Sequence, residues 1–317
     1  MNGMLDIIKS DKTPVTIRNN ILQLSDAPDI VIEGDGDKYI GYEHIGGAYS
    51  GTQKYVIEER DELFADYIAE MTGNGVFLDL ACGDGCLTVP CAKHGIKIIA
   101  GDISNTMMSI LQERARQNGI LLDNVLLCRI NALDLPLKDN SIDCVVANSV
   151  LHLISNPQKV LDEIYRILKP GGKFICRDDA PGKKDEPDAE HEKDNQMYFQ
   201  IVNEIYSSYW KELGVLGITA KKYSWKFDRD TACRNMFKSA ETEFIKRSTP
   251  YFNRLVDMFL PRFLGRGFSD QSGVPDDLHK AVCERIISVT RNKYGELFDT
   301  VGYHGFENDI LITCYIK

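Results

Sequence analysis

The stretch Val76-Phe77-Leu78-Asp79-Leu80-Ala81-Cys82-Gly83-Asp84-Gly85-Cys86 decides the fold. An apolar run carrying one acid enters a Gly-x-Gly turn. Seventeen residues beyond Gly85, a second acid, Asp102, closes another apolar run, Ile96 to Ala100. Strand, glycine turn, helix, strand and acid make half of a nucleoside-binding unit. Such a turn lets a ligand approach the backbone, and the following helix offers N–H groups to an anion. An acid at the end of the next strand suits a ribose diol.

Outward from this stretch, strands and helices alternate. Asp84–His94 reads as a helix closed by Gly95, and Ser104–Gln117 as a helix capped by Ser104. Val125–Ile130 and Ile142–Ala147 read as strands. Asn156–Leu168 is helical, with Val160, Leu161, Ile164 and Leu168 on one face, and Lys173–Arg177 is the fifth strand. Upstream, Asp29–Glu33 and Lys38–Tyr42 flank a glycine-aspartate turn and predict a hairpin; Lys54–Met71 has a helical stripe. This rhythm predicts a doubly wound α/β fold with a mostly parallel sheet.

After Arg177 the rhythm breaks. A charged loop leads to an aromatic-rich helix, Met197–Leu213, then a strand-like stretch, Glu241–Tyr251. A helix follows over Asp276–Tyr294, and the chain ends on a strand, Ile310–Ile316.

Composition narrows the function. The chain has 317 residues and a formal charge of -10, which disfavours a nucleic-acid backbone as partner. No apolar run reaches the roughly 18 residues of a membrane span. Residues 1–13 lack a signal-peptide core, so a cytoplasmic location is the expectation. Nine cysteines are an odd number for a disulfide framework. Cys82, Cys86 and Cys91 have x3 and x4 spacings that fit no common metal site, so no metal is expected.

Two ligands compete for the glycine turn. A dinucleotide wants a third glycine where this chain has Thr88. S-adenosylmethionine has no phosphate. Its carboxylate suits the backbone N–H groups of the turn, and Asp79 with nearby carbonyls suits its ammonium.

The segment Leu78–Gly85 resembles the first motif of the class I S-adenosylmethionine-dependent methyltransferases, small-molecule type. Further segments match in order. Gly101-Asp102-Ile103-Ser104 resembles the ribose acid and the residue beside adenine. Asn131-Ala132-Leu133-Asp134-Leu135-Pro136 resembles the adenine rim, with Asn131 where the family has an acid, so the Ala132 N–H is the firmer contact. Ser141–Asn148 resembles the fourth strand, and Leu168–Lys173 the turn before the fifth. Tyr42-Glu43-His44-Ile45 with Tyr49 resembles a segment that closes over the cofactor. The likeness covers about residues 40–180 and, loosely, the C-terminus.

The resemblance implies S-adenosylmethionine as methyl donor and S-adenosylhomocysteine as product. Around the turn, the implied contacts are Asp79, Ala81, Gly83 and Gly85. Along the nucleoside they are Asp102, Ile103, Met107, Asn131 and Ala132, with Asn148 and Tyr49 toward the methionine end and lid. It also implies a seven-stranded Rossmann-like sheet with an antiparallel last strand and a helical cap built from insertions. The expected divisions are a lid over 1–54, a donor-binding core over 55–180, a cap insertion over 181–240, and core strands with a second helical insertion over 241–317.

His152, after the fourth strand, is the candidate general base; a packed or capping histidine is its plainer reading. Tyr251, Arg262, Arg266 and Ser272 are candidates for a substrate pocket or for a solvated loop. The expectation is methyl transfer to a small-molecule acceptor under the cap. The alternatives are a protein or RNA methyltransferase, whose cap would carry a basic stripe, and a non-catalytic S-adenosylmethionine-binding protein, which would lack a cavity reaching the methyl group.

Overall fold

The structure, a computed structural model, describes residues 3–9, 16–31, 35–43, 55–179, 189–220, 227–245, 251–271, 273–305 and 310–317. A 3-10 turn over Leu5–Ile7 is followed by two short hairpins. Thr16–Arg18 (β1) and Ile21–Gln23 (β2) turn through Asn19 and Asn20, both at positive φ, the backbone that a two-residue hairpin turn requires. Ile30–Val31 (β3) pairs with Tyr39–Ile40 (β4), the hairpin expected from the glycine-aspartate turn.

The α/β core follows: Glu59–Thr72 (α1), Val76–Leu80 (β5), Thr88–Ala92 (α2), Lys97–Asp102 (β6), Asn105–Gln117 (α3), Val125–Arg129 (β7), Ile142–Val146 (β8), Pro157–Ile167 (α4) and Leu168–Asp179 (β9). Ser104 caps α3 by accepting from Met107 N, as read from the sequence. Asn156 caps α4, Pro157 opens it, and Val160, Leu161, Ile164 and Ile167 form its buried face. Helix α2 is shorter than the expected Asp84–His94, because the turn through Gly85 consumes the first residues.

Beyond β9 come Ala189–Val215 (α5), Arg229–Met236 (α6), Ser239–Ile245 (β10), Tyr251–Arg254 (β11), Phe259–Leu264 (α7), Asp276–Tyr294 (α8), Glu296–Thr300 (α9), Gly302–Gly305 (β12) and Ile310–Ile316 (β13).

The sheet runs β1-β2-β7-β6-β5-β8-β9-β13-β10. Its inner part is the expected mostly parallel sheet, with β13 antiparallel to β9 and β10 at the edge. The expected count of seven is extended to nine, because β2 joins β7 in parallel through Leu22↔Cys128 and brings β1 with it. The stretch expected as one strand, Glu241–Tyr251, divides: β10 pairs with β13, whereas Tyr251 begins β11, which pairs with β12.

Alternation along β5 sorts the core. Leu78 and Leu80 face one hydrophobic cluster with Val145 and Phe174, while Phe77 faces another with Ile98, Val146 and Ile175. A third cluster belongs to the helical part: Ile201, Ile205 and Tyr209 of α5 pack on Phe263 of α7, Val282 and Ile286 of α8, and Phe298 of α9. The insertions thus bury a core of their own.

Candidate active site

A cavity of about 350 Å³ opens where the parallel strands end. Leu80, Asp102, Ile130, Asn148 and Arg177 line it from the sheet side, and Met258 and Arg262 from the helical part. This is the crevice at the carboxyl ends of the strands that open α/β sheets offer to ligands.

The turn is tightly built. Ala81 has a left-handed φ of 59°, and Cys82 N donates to Gly101 O at 3.1 Å. Gly83 N donates to Asp102 Oδ2 at 2.9 Å, and Ser104 N to Asp102 Oδ1 at 2.8 Å. These two bonds fix the Asp102 carboxyl at the mouth of the turn, 9% exposed. Each oxygen keeps acceptor capacity, since a carboxylate has about four lone-pair sites. Burial pushes Asp102 up to about 6, against the lowering effect of the Ser104 and Gly83 N–H bonds.

Ala81, Gly83, Asp102, Ile103, Met107, Asn131, Ala132 and Asn148 all line the cavity. The Asn131 side chain accepts from Leu133 N at 2.9 Å, which turns the rim back on itself. Tyr49 and Ser272 lie outside the described residues.

Three expected residues stand elsewhere. Asp79 does not line the cavity: alternation puts it beside Phe77, on the face covered by α2, where its Oδ2 accepts from Thr88 Oγ1 at 2.5 Å. Gly85 serves packing. It has a φ of 80°, and a Cβ there would stand 2.4 Å from Leu111 Cγ. His152 also lies outside the lining. In the short turn Leu151–Leu153 both leucines point inward, so His152 between them is turned out, toward an adjoining groove shared with Phe227 and Arg229. Burial on that side holds its imidazole below the usual range.

Of the substrate-pocket candidates, Arg262 lines the cavity. Its Nε donates to Gly267 O at 3.2 Å and its guanidinium lies 4.8 Å from the Phe268 ring centroid. Arg266 instead pairs with Asp276, and Tyr251 lies in the β11–β12 ladder.

Sequence reasoning missed a set of charged pairs in the lining. Arg114 Nη2 bonds Asp84 Oδ2 at 2.8 Å, with both side chains buried, and Arg114 Nη1 donates to Val56 O at 2.7 Å. Arg177 Nη1 bonds Asp61 Oδ1 at 2.6 Å, and Arg60 pairs with Glu58 at 2.9 Å. Asp84 sits inside the motif, but its partner lies thirty residues on, a distance that spacing does not reveal. Glu43 stands in the segment likened to one that closes over the cofactor, but its partners were not foreseen. It accepts from Ser104 Oγ at 2.7 Å, Thr106 N at 3.1 Å and Thr106 Oγ1 at 3.0 Å, pinning the described segment that ends at Glu43 onto the start of α3. Burial would raise its carboxyl, and these bonds outweigh it and hold the group below the usual range.

Residues 78–176 match the family model described as a methyltransferase domain. The demethylmenaquinone methyltransferase of Lactiplantibacillus plantarum is 37% identical over 109 residues, covering 33% of this chain and 46% of the relative. That of Clavibacter sepedonicus is 31% identical over 145 residues, covering 44% of this chain and 57% of the relative. The chain thus spans about half the length of the curated relatives it matches. Among solved structures, the YcgJ protein of Bacillus subtilis aligns over 82% of this chain and 99% of its own at 16% identity, with a TM-score of 0.45, too loose a likeness to carry an argument.

Proposed function

We propose that this chain, whose residues 78–176 match a methyltransferase domain, is a class I S-adenosylmethionine-dependent methyltransferase that transfers a methyl group from S-adenosylmethionine to a small-molecule acceptor held beneath its helical part. One observation carries the reading. The Asp102 carboxyl is bonded to Gly83 N and Ser104 N at the mouth of the cavity, with acceptor capacity to spare for a ribose diol.

The donor set fits S-adenosylmethionine. Backbone at Ala81 and Gly83 lies open to the cavity for an amino-acid group; Ile103 and Met107 offer apolar surface to a base; Asn131 and Ala132 form a polar rim. The bound donor supplies an electrophilic methyl carbon on a sulfonium. The chain's own residues then hold, orient and dry the site. Holding the acceptor in line with the methyl carbon is the main source of acceleration in such a displacement. Met258 and Arg262 support an enclosed acceptor site, because they bring the helical part down onto the donor cavity.

In this reading residues 55–180 hold the donor, residues 1–54 provide the lid, and residues 181–240 with the helices of 241–317 cover the acceptor. The relatives' quinone acceptors are not carried over, because the matched segment, 78–176, ends before the helices that cover the cavity. A cytoplasmic location is part of the proposal: all nine cysteines are free thiols, which fits a reducing compartment. No helix of the described residues is long and apolar enough to cross a membrane.

The test is turnover. The protein is incubated with S-adenosylmethionine and a metabolite extract, and S-adenosylhomocysteine and methylated products are followed by mass spectrometry. The expected result is S-adenosylhomocysteine formation with a product heavier by one methylene, both lost in Asp102→Ala. Donor binding without turnover in any extract fraction would favour the non-catalytic alternative.

A further inference from the structure

A second groove abuts the donor cavity. It encloses about 270 Å³, and its walls are the segment from Ala147 to His152 together with Arg177, Phe227 and Arg229. Asn148, Ser149, Val150 and Arg177 belong to both spaces. Ser149 has a left-handed φ of 56°, so the chain doubles back here and one short segment presents a face to each.

The chemistry of the groove is one-sided. Its ionisable side chains are Arg177, Arg229 and His152, and among the described residues no carboxylate lines it. Both guanidinium groups are braced by carboxylates that are not part of the lining. Arg177 bonds Asp61 and lies 5.1 Å from the Phe64 ring centroid. Arg229 donates Nε and Nη2 to Asp230 Oδ1 at 3.0 and 2.9 Å, and Asp230 is itself fixed by the Tyr315 hydroxyl at 2.9 Å. A braced guanidinium loses little entropy on meeting a planar anion, and its fork matches a carboxylate. Phe227, Val150 and Leu151 supply apolar surface for the body of such a ligand.

We propose that this groove binds the carboxylate of an aromatic acid acceptor, with Arg177 and Arg229 as its anion site and His152 as a specificity-determining residue. The proposal rests on the methyl-donor reading of the larger cavity. The acid's ring reaches toward that cavity past Asn148, and Arg177, common to both spaces, fixes the distance from carboxylate to reacting atom. His152 then recognises the acceptor and does not serve as general base.

The experiment titrates 1-naphthoate and its neutral counterpart 1-naphthamide into the full-length protein by calorimetry, with and without saturating S-adenosylhomocysteine. Naphthoate is expected to bind at least about tenfold more tightly than naphthamide. Arg229→Gln is expected to remove most of that preference, Arg229→Lys to restore part of it, and His152→Ala to weaken naphthoate binding. Unchanged S-adenosylhomocysteine affinity in all three variants shows that they are folded. Absence of saturable naphthoate binding, equal affinity for acid and amide, or indifference to the variants overturns the proposal. Tighter binding of phenyl phosphate than of naphthoate overturns the carboxylate class. Loss of S-adenosylhomocysteine binding with the naphthoate preference intact contradicts the donor reading and leaves the groove assignment standing.

Discussion

Thr88 donates its hydroxyl to Asp79 across 2.5 Å, and the bond ties the end of β5 to the start of α2 behind the cavity wall. Both residues are buried. The acid of the motif therefore holds the turn in shape and leaves contact with the cavity to the backbone.

This burial has a consequence for stability. Burial first, and the charge of Asp102 with it, raise the Asp79 carboxyl to about 7 against the lowering effect of the Thr88 hydroxyl. The folded protein then binds more protons than the unfolded chain, so the stability this group contributes at low pH is lost as pH rises through about 7. Asp79→Asn keeps an acceptor for Thr88 and removes the titration. Urea denaturation is expected to show it more stable than wild type at about pH 8, with the advantage shrinking as pH falls below about 7 and gone only below about pH 4, where the unfolded chain is protonated as well. A constant difference across that range would contradict the assignment.

Gly85 and Gly83 differ in what a side chain would meet. At Gly85 a Cβ clashes with Leu111, and the left-handed φ adds strain; at Gly83 the nearest atom is Met107 Cε at 3.4 Å. Gly85→Ala is expected to lower unfolding free energy by about 2–4 kcal/mol and Gly83→Ala by about 1–2 kcal/mol, the clash adding to the strain. The reverse order in chemical denaturation would place the packing contact wrongly.

Arg114 and Asp84 form a buried pair, 4% and 7% exposed at the side chain. Arg114→Leu takes the guanidinium away from a buried carboxylate and should cost about 3–5 kcal/mol. Adding Asp84→Leu is expected to recover most of that loss. Additive losses in the double-mutant cycle would mean the two charges are not coupled.

Donor binding should depend on pH through Asp102. Its carboxyl is held up at about 6 by burial, with the two N–H bonds opposing, and only the ionised form offers acceptors alone to a diol. S-adenosylhomocysteine affinity should therefore fall as pH drops through about 6, and Asp102→Asn should flatten the profile. An equally steep profile in the variant would remove Asp102 as the titrating group.

Much of this was legible because period and punctuation are local signals. The five-residue run of β5, the cap at Ser104 and the helix Asp276–Tyr294 each declare themselves within one window. What escaped depends on contacts distant in the chain. Strands β1 and β2 are three residues each, and nothing in them says that β2 will pair with β7 more than a hundred residues away. Asp79 was expected at the cavity because it stands in the motif, yet strand alternation had already assigned it to the other face. His152 lost its expected place to the two leucines beside it, which claim the interior. The pairs Asp61–Arg177 and Asp84–Arg114 join residues that only the fold brings together.

The most direct test of the methyl-donor account is calorimetric titration of S-adenosylhomocysteine into the wild-type protein and into Asp102→Ala. The account predicts saturable binding at one site per chain in the wild type, and affinity weaker by at least about tenfold in the variant, since charged hydrogen bonds to the ribose are lost. No binding to the folded wild type, or equal affinity in the two proteins, would contradict it.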